Sequence, residues 1–114
     1  MHEIIKGASV LLTVWVNLMY LITALSDPGV YKPGKLFIKE TDNLRNCSAC
    51  KIKVPDNVRH CFTCDICIIE MDHHCPWMSK CVAKGNIKSF YGFIGGAFLM
   101  MALFWITIFV ILTQ

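Results

Sequence analysis

No charged side chain occurs between Gly7 and Leu25, and none between Phe90 and Thr113. A soluble chain could hide two such stretches only inside a large core, and the segment between them is too short to supply one. At about 1.5 Å per residue, the first stretch reaches roughly 28 Å, enough to cross the hydrocarbon of a bilayer. The second is longer, crosses with some tilt, and carries Phe90, Tyr91 and Trp105, aromatic residues of the kind enriched near membrane interfaces. Ala24-Leu25-Ser26 has the small-x-small pattern of a cleavage site, but the apolar run before it exceeds the roughly 7 to 15 residues of a secretory h-region. The segment is therefore expected to be retained as a span.

The intervening loop has no low-complexity tract and no repeat of solenoid length, and few large apolar residues lie between Cys47 and Cys81. A segment of that kind cannot build a sufficient core unaided. Nor does it carry an unopposed basic charge: ten of the 11 basic residues are here, but so are seven of the 8 acidic ones. That balance, with a tether at both ends, argues against a nucleic-acid partner. The Lys and Arg bias places the loop on the cytosolic side, or in the matrix if the membrane is the mitochondrial inner one. Both short termini then face the opposite side, and the lipid bilayer is the first expected partner.

What the loop does have is cysteine. All seven cysteines fall between Cys47 and Cys81, and on a reducing side of the membrane this favours metal over a disulfide framework. The ligand-capable residues are Cys47, Cys50, His60, Cys61, Cys64, Cys67, His73, His74, Cys75 and Cys81. Two Cys-x2-Cys pairs, the second extended to Cys67, put thiolates on tight turns suited to a tetrahedral ion. Two closed zinc sites, each of three Cys and one His, would use eight of the ten and supply the folding free energy that the missing core does not. Spacing alone leaves open which cysteine crosses between sites and which histidine is spare. Before this segment, Pro28 and Gly29 end the first helix, and residues 30–46 read as an extended linker with a short strand.

The run Met71-Asp72-His73-His74-Cys75-Pro76-Trp77 resembles the DHHC protein S-acyltransferases, membrane enzymes that move a fatty acyl group from acyl-CoA to protein cysteines. The likeness extends to the cysteine spacing from Cys47, the His60-Cys61 pair, Cys81-Val82, Asn86, Phe90, and Asp27-Pro28-Gly29 after the first span. It covers the family's second span, its Asp-Pro-Gly motif, the cysteine-rich domain and the third span. None of the 114 residues matches the family's Thr-Thr-x-Glu motif.

The resemblance implies a membrane protein with two transmembrane α-helices flanking a small zinc-stabilised cysteine-rich domain with short β-hairpins. The divisions are a helix at 4–25, a loop with the Asp-Pro-Gly motif and linker at 26–46, the cysteine-rich domain at 47–89, and a helix at 90–113. It further implies that Cys47, Cys50, His60 and Cys67 hold one zinc, and that Cys61, Cys64, His74 and Cys81 hold the other. Cys75 is then the nucleophile, His73 its base and Asp72 the group that orients the imidazole. Acyl-CoA is the donor, protein cysteines are the substrates, and an endomembrane such as Golgi or ER is the site.

The alternative is a catalytically inactive zinc-binding accessory subunit of a larger membrane complex, in the mitochondrial inner membrane if the loop faces the matrix. Other membrane chains are expected partners in either case, with the small-residue face Gly92-x3-Gly96 as the seat either for a foreign helix or for the chain's own first span. Departures from the family pattern fall at Ser79-Lys80, Ala83 and Asn57. Lys80 places a cation near Cys75, where it either stabilises a thiolate or bears on local packing. Met71 and Trp77 are expected to pack beside the same turn, with Trp77 at the membrane interface, and Asn17 to bond a partner helix or simply be tolerated in the span.

Overall fold

The computed structural model describes residues 2–34 and 43–113. These fall into two compact units, one built from the two long helices and the other from residues 24–87. The helical unit takes α1 (His2–Leu25) as far as Thr23 and α2 (Ile87–Leu112) from Lys88 onward. Both are long and apolar enough to cross a membrane, and only 6% of each apolar window is buried, where the core helix of a soluble protein would be mostly buried. α2 starts earlier than the expected span, because Ile87, Lys88 and Ser89 already form its first turn.

Small residues decide how these helices meet. A Cβ added at Gly96 would lie 2.7 Å from Val16 Cγ2, and one at Gly92 would lie 3.0 Å from Met19 Sδ. The Gly92-x3-Gly96 stripe is thus the seat of the chain's own α1, not of a foreign helix, because only residues without a side chain admit so close an approach. Trp15 Nε1 donates to the Gly92 carbonyl at 3.2 Å, and Tyr20 meets Phe93 edge to face at 5.6 Å. Asn17 donates to the Thr13 carbonyl of its own helix at 2.8 Å. Leu11, Val14 and Leu21 of α1, with Phe98, Trp105 and Phe109 of α2, remain exposed.

The second unit is three antiparallel hairpins: β1 (Leu44–Cys47) with β2 (Ile52–Pro55), β3 (Val58–Cys61) with β4 (Ile66–Ile69), and β5 (Met71–Cys75) with β6 (Lys80–Ala83). Of the linker expected to hold a short strand, residues 35–42 lie outside the described residues. The hairpins repeat one another at a constant interval along the chain. Their tight ends pair Cys47 with Ile52, Cys61 with Ile66 and Cys75 with Lys80. Each turn closes through a residue at positive φ in the equivalent place: Lys51, Asp65 and Ser79, at 55°, 54° and 51°. Val54, Ile68 and Val82 are likewise equivalent and all fully buried. Two small cores result, one around Tyr31, Val54 and Val58, the other around Ile68 and Ala83.

The Asp-Pro-Gly segment is built into this unit. Asp27 accepts hydrogen bonds from the Gly29 and Val30 amides, at 2.8 and 2.9 Å, and the Val30 and Gly29 N–H groups hold its carboxyl below the usual carboxylate range. The turn delivers residues 29–31 to the free edge of β4, where Tyr31 N bonds Cys67 O and Ile69 N bonds Gly29 O, each at 2.9 Å. Gly85 closes over the same turn. Its amide donates to Pro28 O at 3.0 Å, and an added Cβ would stand 2.2 Å from Asp27 O. That neighbour is backbone and cannot swing aside. Gly85→Ala is expected to destabilise the unit by about 1–3 kcal/mol or more, the range for forced overpacking. Thermal unfolding of the purified variant checks this, and an unchanged midpoint would refute it. Next along, the buried Asn86 accepts from Ala83 N at 2.9 Å and donates to Cys81 O at 3.1 Å, bracing the strand that carries the last zinc-type cysteine.

Candidate metal centres and the residues beside them

Hairpin geometry sorts the ligand-capable residues. Adjacent strand residues point to opposite faces, while register partners share one. On β3, His60 therefore accompanies its partner Cys67, and Cys61 points the other way. On β5, His74 accompanies Cys81, while His73 and Cys75 point away. The ligand atoms of Cys47, Cys50, His60 and Cys67 lie within 4.8 Å of one another, as do those of Cys61, Cys64, His74 and Cys81.

These groups have the size of a zinc tetrahedron. Zn–S bonds near 2.3 Å and Zn–N bonds near 2.05 Å imply S···S edges of roughly 3.75 Å and S···N edges of roughly 3.55 Å. In the first group Cys67 Sγ is 3.5 and 3.6 Å from the sulfurs of Cys47 and Cys50, and His60 Nδ1 is 3.3 and 3.8 Å from Cys50 and Cys67. In the second, Cys81 Sγ lies 3.7 Å from Cys64 Sγ, and His74 Nδ1 lies 3.6, 3.3 and 3.8 Å from Cys61, Cys64 and Cys81. Two such Cys3His groups fit two zinc ions. Asp65 Oδ1 stands 3.4 Å from the buried Nε2 of His60, on the side of the ring away from the thiols. The carboxylate is close to the ring but makes no hydrogen bond to it, so among the described residues Nε2 is left without a hydrogen-bond partner.

Thiols packed this closely cannot all ionise without a cation among them. Burial, reinforced by the neighbouring thiols, pushes Cys67 and Cys81 up to about 12. At Cys61 burial also raises the thiol, but the Cys64 amide, the Cys81 thiol and the Thr63 amide bring it down to about 7. The amide of Cys50 lowers Cys47 first of all, against its burial. Zinc takes thiolates, so loading must drive protons off the raised thiols, and affinity must rise with pH and fall on acidification. We expect release of more than one proton per zinc at neutral pH, read by calorimetry in buffers of different ionisation enthalpy. Loading without proton release would refute it.

Asp72, His73 and Cys75 lie outside both groups. Asp72 is the extra residue of a β-bulge: Met71 faces Ala83 and His73 faces Val82, with no register partner for the residue between them. Freed from alternation, its Oδ2 reaches His73 Nδ1 at 2.7 Å. Cys75 is 4% exposed at the tight end of the hairpin, two residues along the same face from His73. Met78 packs into this turn at 5% exposure, and Trp77, expected beside the turn at the membrane interface, is 87% exposed. The Lys80 ammonium does not turn to the thiol. It donates to Ala24 O at 2.8 Å and Ser26 O at 2.6 Å.

Sequence reasoning missed Asn86 as a brace and Gly85 as a close-approach residue. The signal for both was the period of the hairpins, which ends at Ala83 and leaves the next three positions to be explained by something other than the repeat.

A search of curated proteins found no match to this chain. A family model described as DHHC palmitoyltransferase matches residues 40–114, about two thirds of the chain, including all three hairpins and α2. With the two Cys3His groups and the Asp72-His73 pair in place, the conclusion is that the chain belongs to the DHHC palmitoyltransferase family.

Proposed function

We propose that this chain is a protein-cysteine S-acyltransferase acting through Cys75. The observation that carries the reading is the division of labour among ten ligand-type residues. Eight fall into two zinc-sized groups, and the two left over, His73 and Cys75, share one face of β5 with Asp72 bonded to the imidazole. A thiol becomes a nucleophile as its thiolate, and His73 is the base that takes its proton. The Cys75 sulfur attacks the thioester carbonyl of acyl-CoA, the C–S bond to CoA breaks, and CoA leaves as the thiol with the proton from His73. A substrate cysteine then attacks the acyl-enzyme, which restores Cys75. Asp72 fixes the His73 tautomer and favours the imidazolium that forms in each step.

The zinc ions are structural in this scheme, since four protein ligands close each site. Residues 4–25 and 90–113 act as spans, 26–46 link them to the cysteine-rich domain at 47–89, and the basic bias of the loop favours its cytosolic placement. The chain is then an integral membrane enzyme whose acyl donor shares its bilayer. Incubation of the zinc-loaded protein with labelled acyl-CoA tests this. A hydroxylamine-labile adduct on Cys75, transferable to a cysteine peptide, is expected. Absence of any adduct would leave the accessory-subunit reading.

A further inference from the structure

The third hairpin has the form of a zinc knuckle without the ligands of one. In the first two, the turn cysteines are i and i+3, namely Cys47 with Cys50 and Cys61 with Cys64. Each pair shares its group with a histidine and a cysteine from further along the chain, at the same offsets in both: His60 and Cys67, then His74 and Cys81. In the third, i is Cys75, but the i+3 position holds Met78, and the positions equivalent to that histidine and cysteine hold Lys88 and Gly95. Two turns therefore carry zinc-type cysteines of their own, whereas the turn after Cys75 carries none, and its hairpin reaches a metal group only through His74 and Cys81 on the strands.

Something else occupies that role. The residue paired with the turn cysteine is apolar in the first two hairpins, Ile52 and Ile66, and both pack against the small cores. In the third it is Lys80. As the register partner of Cys75 it shares the same face, so its stem runs beside the thiol. Its ammonium goes on to two carbonyls, that of Ala24 in the last turn of α1 and that of Ser26 just past its end. Carbonyls at a helix C-terminus lack partners along the helix and carry its partial negative charge, which suits a cation. At the far end of β6, the Gly85 amide grips the Pro28 carbonyl of the same segment.

We propose that Lys80 is a positioning residue for Cys75, an ammonium clamp that fixes the turn of the third hairpin, which has no zinc ligand of its own, as turn cysteines fix the first two. The clamp settles what the cation near Cys75 does: it acts on the hairpin's placement, not on the thiolate directly. Its catalytic consequence rests on the acyl-transfer reading, while its structural content does not.

The test uses the full zinc-loaded chain and two readouts, the saturating rate of acyl-enzyme formation and the rate of Cys75 alkylation by iodoacetamide. In Lys80→Met, both zinc ions are expected to remain. The saturating rate should fall about tenfold or more, since small misplacement of a reacting group is costly, with the half-saturating acyl-CoA concentration little changed. Alkylation of the normally buried Cys75 should become several-fold faster. Lys80→Arg, which can reach both carbonyls, should restore native values. Native rates of both reactions in Lys80→Met would overturn the proposal, as would failure of Lys80→Arg to rescue. If Lys80→Met loses zinc, Lys80→Gln is read in the same way. If the native chain forms no adduct, the acyl-transfer reading fails, and alkylation alone decides the clamp.

Discussion

Replacing Cys75 with serine is expected to abolish acyl-CoA labelling while both zinc ions and the fold remain. The two parts of that result come from different features of the same strand. Retention of metal follows because Cys75 contributes to neither ligand group, and both groups keep four ligands in the variant. The substitution trades a buried sulfur for a hydroxyl in a turn whose backbone bonds, Met78 N to Cys75 O and Ser79 N to Pro76 O, do not involve the side chain. Loss of labelling follows because a serine hydroxyl is a far weaker nucleophile than a thiol. His73→Ala should leave the thiol but remove its proton acceptor, lowering the rate by about 10²- to 10⁴-fold, the usual contribution of general base catalysis. Both variants are assayed for bound zinc and for adduct in one preparation. Labelling that persists in Cys75→Ser would place the nucleophile elsewhere and defeat the proposed chemistry.

The parts of this fold that were legible in sequence are those set by composition and by ligand type. Two uncharged stretches of sufficient length announced two helices, and paired cysteines announced metal, because few other structures make use of either pattern. The assignment of ligands was not legible from spacing. His60 and Cys61 are adjacent, as are His73 and His74, and nothing in the order of letters says that neighbours serve different sites. Strand alternation says so, but only once β3 and β5 are known to be strands with a given register. The family resemblance carried that register implicitly, and for this reason it could divide the ligands where spacing could not.

Three further features depended on contacts between distant segments. The Gly92-x3-Gly96 stripe was visible, but its occupant was not: which helix covers a small-residue face depends on what lies opposite, here Trp15, Val16 and Met19. Lys80 looked like a charge beside a thiol because the sequence shows only that it follows closely on Cys75. Its partners, Ala24 and Ser26, are 56 and 54 residues away. The bulge at Asp72 interrupts an otherwise strict period, and without it the residue would keep the face of His74. One inserted residue therefore converts a repeat unit into a strand that presents an acid and a histidine in contact.

The two metal groups are not interchangeable, and their loss is expected to have unequal effects. The second hairpin belongs to both, giving His60 and Cys67 to one and Cys61 and Cys64 to the other. The third hairpin belongs only to the second group, through His74 and Cys81, and it packs on β3 and β4. The two small cores follow the same division, with Ala83 and Met71 of the third hairpin in the core that contains Cys61 and Cys81. In His74→Ala the hairpin that carries Cys75 loses its metal tie. Structural zinc in small domains contributes about 10–16 kcal/mol of apparent binding free energy, so this loss exceeds what so small a core can offset. Labelling should fall to background, with about one zinc retained per chain. In Cys50→Ala the first hairpin loosens instead, while the core around Ile68 and the ligands of the other group are untouched. Labelling should then persist within about tenfold of native, because the reacting residues keep their placement. Zinc content, adduct formation and hydrogen exchange of the three hairpins, measured on both variants, decide the matter. Equal loss of labelling in the two would mean that the three hairpins fold as one cooperative unit, and the claim of unequal groups would fail.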